Sequence, residues 1–163
     1  MVGLLFYICT MKRFLTFLFT FLLLTVSASA QTPAETIIGK YDGQKGVRTF
    51  VAKDALMSMA RGYIRKSPMG PLADSVDEVT IMMMKRAGEQ TKAAFLVDLR
   101  SVLADGYIFY GKKPGMDGRI VEVYGSPIKN GAVDELIVFN SELYSLFSLR
   151  GSYPVEELKK LDK

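Results

Sequence analysis

The chain predicts an α+β fold, a two-layer sandwich in which a β-α-β-α segment is followed by a four-stranded β-meander. Short helices stand at both ends of the mature domain. Three observations carry this expectation. Strand-like and helix-like periods alternate up to Gly106, the pattern switches after it to short strands separated by turn signals, and no internal repeat or long linker divides the sequence.

The elements follow in order. Thr32-Pro33-Ala34-Glu35 combines an N-cap threonine, a proline at the first helical position and a glutamate at N3. This is a capping box, and it predicts a helix over Pro33–Lys40. Asp42-Gly43-Gln44-Lys45-Gly46 ends that helix. Val47–Ala52 alternates as a strand, with Val47, Thr49 and Val51 on one face and Arg48 and Phe50 on the other. Asp54 is placed to cap a helix whose stripe is Leu56, Met59, Ala60, Tyr63 and Ile64, and Ser67-Pro68-Met69-Gly70-Pro71 stops it.

Val79–Lys85 is apolar on both faces, the pattern of a central strand. Thr91 is the expected cap of a long helix with Phe95, Leu96, Leu99, Val102 and Leu103 inward, and Gly106 stands at its C′ position. Tyr107–Lys112, Arg119–Tyr124, Glu135–Asn140 and Leu143–Leu149 read as the meander strands, with Asn130-Gly131 a hairpin signal. Ser152-Tyr153-Pro154 opens a last helix with Val155, Leu158 and Leu161 as its apolar edge. The two main helices are expected on one face of the sheet.

Before the domain comes an export signal. Lys12 and Arg13 form a basic start, Phe14–Val26 is an apolar run broken only by threonines, and Ala28-Ser29-Ala30 is a small-residue cleavage site. The expected organisation is a signal peptide over residues 1–30, with translation starting at Met11 and cleavage before Gln31, and a single α+β domain over residues 31–163. The product is expected to be exported, periplasmic or secreted, without a stable membrane anchor. The 13-residue apolar run is short for a membrane span of about 20 residues.

Composition excludes more than any motif adds. Removing Lys12 and Arg13 takes the 21 basic residues to 19 against 17 acidic ones, a net charge of +2. That is no nucleic-acid footprint. The only cysteine is Cys9, and there is no histidine or tryptophan, so the mature domain carries no disulfide, no thiolate and no histidine general base. The usual zinc, copper, haem and iron–sulfur ligand sets are missing, and no cofactor or metal site is expected. An enzyme here would depend on carboxylates, Lys, Tyr or Ser.

Ser126-Pro127-Ile128-Lys129 matches Ser-x-x-Lys, but Pro127 and Asn130-Gly131 place it in a hairpin connection rather than at a helix start. Asp74, Asp77 and Glu78 precede the central strand, and Asp134-Glu135 precede a later one. A cleft joining the two groups would suit acid–base chemistry on a glycan, whereas solvated turn acids are the plain alternative. Lys112–Gly118 reads as a charged hairpin tip. Arg65-Lys66 and Lys85-Arg86 read as element ends in water. Met82-Met83-Met84 cannot converge on one ion, because consecutive strand residues face opposite ways. The aromatic meander is the candidate interaction surface, with Tyr107, Phe109, Tyr124, Tyr144 and Leu146 as its residues.

The start Ile38-Gly39-Lys40-Tyr41 with its Gly46-Val47 strand entrance, the Val79–Met84 strand, the Phe95–Leu103 helix, and the ending Leu136–Phe139, Leu146–Gly151 and Val155–Leu161 resemble a family. It is a family of uncharacterised small exported proteins and lipoproteins of Bacteroidetes, a domain of unknown function. The resemblance implies an envelope location and supplies no catalytic residues. Many members of that family are lipoproteins, whereas Gln31 stands here where they carry a cysteine.

The leading expectation is an exported non-catalytic interaction domain that binds a protein or small apolar ligand in the envelope, or a second copy of itself. The alternatives are a carboxylate-based hydrolase acting on envelope glycans, and an envelope stress or folding accessory.

Overall fold

The computed structural model describes residues 31–67, 69–115 and 117–159. The expected signal peptide and Leu161 lie outside the described residues. Helix α1 (Pro33–Tyr41) opens with the capping box intact, because the Thr32 hydroxyl accepts from the Glu35 amide and the Glu35 carboxylate accepts from the Thr32 amide. Strand β1 (Arg48–Ala52) leads through a 3-10 turn (Asp54–Leu56) into helix α2 (Met57–Ile64). A second 3-10 segment (Gly70–Ser75) precedes strand β2 (Val76–Met83). Helix α3 (Glu89–Gly106) is followed by β3 (Ile108–Pro114), β4 (Ile120–Gly125), β5 (Ala132–Asn140), β6 (Ser145–Pro154) and the single turn α4 (Val155–Leu158).

The class is α+β, an open six-stranded antiparallel sheet ordered β1-β2-β6-β5-β4-β3 with helices packed on it. The last four strands form a meander, and β2 is internal, between β1 and β6. The hairpin between β4 and β5 turns through Asn130 and Gly131, both at positive φ (51° and 79°), as a two-residue turn matched to the strand twist requires.

Strand alternation sorts the core into two halves. On one face Met82, Tyr124, Ile137, Phe139 and Leu146 pack under α1 (Ala34, Ile37, Ile38, Tyr41) and α3 (Phe95, Leu99, Leu103). Phe95 is wedged edge-on between Tyr41 and Phe139, with ring centroids 5.5 Å and 6.1 Å apart. On the other face Ala52, Val79, Val123, Leu136, Val138 and Leu149 meet Met57 of α2, Leu72 and Leu158. The two main helices, expected together, therefore lie on opposite faces. The partner of α3 is α1, and α2 is left with only the short segments around it.

Three local expectations are corrected. Helix α3 starts three residues early, with Gly88 rather than Thr91 at its N-cap. Gly106 is the last helical residue and not a left-handed C′ glycine, because the chain passes directly into β3. Asp54 makes no side-chain cap; it stands at φ 49° at the head of the 3-10 turn. That turn also rotates α2. Met57, Ala60 and Ile64 face the sheet, so the buried arc lies roughly 60° around the helix from the expected stripe, at about 100° per residue.

Gly46, just before β1, must be glycine on two counts. Its φ is +85°, and a Cβ there would lie 2.2 Å from the Arg86 carbonyl oxygen. Gly43, at φ +76°, faces open space. Gly43→Ala should cost about 1 kcal/mol, the left-handed strain alone. Gly46→Ala should cost ~2–4 kcal/mol, because the contact with Arg86 must also open. Urea unfolding of both variants checks this, and equal losses would remove the role given to the contact.

Candidate functional site

The face covered by α1 and α3 is closed, and the expected interaction residues belong to it. Leu146 is fully buried, and Tyr124 lies under Arg100, which donates to both its hydroxyl (3.0 Å) and Glu122 (2.7 Å). Burial alone would lift the Glu122 carboxyl, yet Arg100 and the Tyr124 hydroxyl hold it below the usual range. Tyr144 packs against the core beneath the Lys92 ammonium. Tyr107 donates to Glu135 at 2.6 Å. Phe109 alone is half exposed, tilted against Tyr124. Of the five candidate surface residues, four thus serve packing or internal hydrogen bonds and only Phe109 stays half exposed.

The acids divide. Glu135 is buried, and its carboxylate accepts from Thr32 (3.1 Å), Tyr107 (2.6 Å) and Ser148 (2.6 Å). Asp74 pairs with Arg65 on the surface. Asp77, Glu78 and Asp134 line one shallow depression with Lys53, Asp54, Arg150 and Gly151, at the end of the sheet where β2 begins. Each of the three faces a cation: Asp77 meets Arg61 (3.7 Å), Glu78 meets Lys53 (3.0 Å), and Asp134 meets Lys129 (3.9 Å). A general acid needs a carboxyl shielded from water and cations. Among the described residues no group of three or more Asp, Glu, His or Cys is placed to hold a metal ion.

Ser126 is structural. Its hydroxyl accepts from the Asp134 and Glu135 amides (3.1 and 3.2 Å) and supports the bulge in β5, while Lys129 is paired to Asp134.

The open site lies on the other face, where α2 covers only part of the sheet. A cleft of about 540 Å³ runs across the strands, lined almost wholly by apolar atoms. Its floor is the row Phe50, Ile81, Phe147 and Val138, aligned by the β1–β2, β2–β6 and β6–β5 registers. Its wall is the part of α2 that rotation turns away from the sheet. Leu56, Met59 (64% exposed) and Tyr63 (60%) line the cleft together with Ile64 and Met69. The far side is the β3–β4 hairpin, through Lys113, Pro114 and Gly115.

Phe50 and Ile81 escaped the sequence reading as site residues, and Met59 and Tyr63 read as core. One signal was present: two long helices cannot cover both faces of six strands. Which face stays open depends on where the crossovers go, and periodicity does not report that.

Comparison with protein-family models, curated proteins and solved structures gave no match. The cleft is therefore read on its own chemistry. No helix among the described residues is long and apolar enough to cross a membrane.

Burial on the closed face leaves a mark at high pH. Burial, and then the hydrogen bond to Asp98, push the Tyr41 hydroxyl from 10.0 up to about 12. Burial and Glu135 raise Tyr107 in the same way. The folded chain keeps protons that the unfolded chain gives up, so stability is fully present below pH 10 and falls as pH rises toward 12. Urea midpoints across this window should decline, and less steeply in Tyr41→Phe. Identical slopes would contradict the linkage.

Proposed function

We propose that the protein is an exported, non-catalytic binding domain whose ligand is a small apolar molecule lying in the cleft between α2 and the sheet. One observation carries the reading. The chain covers the core of its other face with α1 and α3 but leaves about 540 Å³ of apolar cleft open here. This volume falls within the roughly 300–1,000 Å³ of small-molecule sites. Half-exposed Phe50, Leu56, Met59 and Tyr63 at the lips are the kind of contiguous apolar surface that marks an interaction site. Thioether side chains adapt to a guest at little cost. The export expectation rests on the N-terminal sequence, and the family resemblance supports an envelope location.

A carboxylate-based hydrolase is the second reading. Its supporting observation is that Asp77, Glu78 and Asp134 share one depression. The cations paired with all three weigh against it, as does the shallowness of the site.

The binding reading is tested with a neutral apolar fluorophore, N-phenylnaphthylamine. Titration should show saturable enhancement at a single site. Met59→Glu and Tyr63→Glu change exposed positions, so the fold should persist, and each should weaken binding about tenfold, or ~1.4 kcal/mol. Absence of saturable binding, or variants that bind as well as the parent, would refute it.

A further inference from the structure

The cleft reaches the end of the sheet where β1 begins, β2 ends and the β3–β4 and β5–β6 turns gather. Arg48 is paired with Met83 and stands one alternation beyond Phe50 on the cleft face. Lys85 and Arg86 follow in the turn after β2, and Gly46 lies against the Arg86 carbonyl, which brings Lys45 to the same place. These four side chains are exposed and make no ion pair or hydrogen bond among the described residues. The one acid on the adjoining loop is Asp42. Across the mouth, Lys113 lines the cleft, and the neighbouring Asp117 is bound to Arg119. At the opposite end of the sheet Asp77, Glu78 and Asp134 each have a cationic partner. Four cations without an ion pair among the described residues, Lys45, Arg48, Lys85 and Arg86, therefore gather at the sheet end that the apolar trough reaches, with Asp42 as the one unpaired acid beside them.

The trough is also slender. With Val121 of β4 beyond Val138, the floor crosses five strands, about 19 Å at the usual ~4.8 Å spacing. Val121 and Val138 on the floor are nearly buried, so little of its width is open. A guest helix about 10–12 Å wide would need a broad, open floor. A methylene chain would not.

Resting on the cleft as the binding site, we infer that its occupant is a single-chain amphiphile with an anionic headgroup. The alkyl chain lies across the Phe50–Val138 row, and the carboxylate, sulfate or phosphate sits among Arg48, Lys85 and Arg86. The occupant is a monomer taken into the cleft, not a bilayer on which the protein lies. The cations are exposed, so their preference for an anion weakens as salt shortens the screening length below ~10 Å.

Competition against the neutral dye on the purified full chain tests this, with dodecanoate, dodecanol and dodecyltrimethylammonium kept below micelle-forming concentrations. Dodecanoate should displace the dye at least tenfold more tightly than dodecanol, with the cationic amphiphile weakest. The dodecanoate-to-dodecanol ratio should collapse toward one at high salt and in the triple variant Arg48→Gln, Lys85→Gln, Arg86→Gln. From decanoate to tetradecanoate each methylene should tighten Kd about fourfold. A ratio near one in the parent, or one that survives the triple variant, overturns the inference while leaving the cleft as an apolar site. Pelleting with phosphatidylglycerol vesicles without displacement of the dye by dodecanoate also overturns it, in favour of a membrane surface. Failure of the dye itself to bind removes the cleft reading and this inference with it.

Discussion

A sheet whose inner strands are apolar on both faces must be covered twice, and this chain has helix enough to do it well only once. β5 and β6 carry Ile137, Phe139 and Leu146 toward one side and Leu136, Val138, Phe147 and Leu149 toward the other. The nine-residue α1 and the eighteen-residue α3 close the first side. The second has α2, of eight residues, a 3-10 segment and one turn of helix. The cleft is the part of that face which two turns of helix cannot span. Its existence follows from the length of the covering elements and requires no special loop.

The closed face owes its precision to a buried carboxylate. Glu135 would be costly without partners, because a buried charge must be matched by donors. Three hydroxyls supply them from different parts of the chain: Thr32 before α1, Tyr107 after α3, and Ser148 on β6. Around it, Arg150 donates to Glu35 at 2.6 Å, and the Tyr107 hydroxyl accepts from the Ala34 amide. One side chain thus fixes where α1 begins, where α3 ends and how β5 sits against β6. With α1 held there, α1 and α3 close on each other, Lys40 and Tyr41 both donating to Asp98 at 2.6 Å. The other face is left with α2 and the short segments around it.

Local chemistry was legible in the sequence. The capping box at Thr32-Glu35, the positive-φ turn at Asn130-Gly131 and the inward stripe Phe95, Leu99, Leu103 depend on neighbours a few residues apart. What the sequence did not disclose depends on partners far along the chain. The β-bulge at Val133/Glu135, one of three in the sheet with Val76/Glu78 and Phe109/Gly111, shifts the alternation, so that an acid which reads as a turn residue faces inward. The face given to each helix is set by the crossovers around β2, not by any period. The rotation of α2 comes from the 3-10 turn ahead of it. Three residues of a well-read apolar stripe, Leu56, Met59 and Tyr63, were thereby turned from core into the wall of the candidate site.

The exposed apolar surface is also protected in a way that suits a site better than a packing defect. An open sheet risks pairing through its edges, and here both edges are blunted. β1 is only five residues long, Arg48–Ala52, with Lys53 directly after it, and β3 carries Gly111, Lys112, Lys113 and Pro114. The hazard of strand addition is removed while Phe50, Ile81 and Phe147 remain reachable from the side. Apolar area left in water forgoes about 25 cal/mol per Å². The chain accepts that loss over one trough and, at the sheet end that the trough reaches, also leaves Lys45, Arg48, Lys85 and Arg86 without anionic partners among the described residues. Two uncompensated features side by side, one apolar and one cationic, are both relieved by a guest that is apolar at one end and anionic at the other.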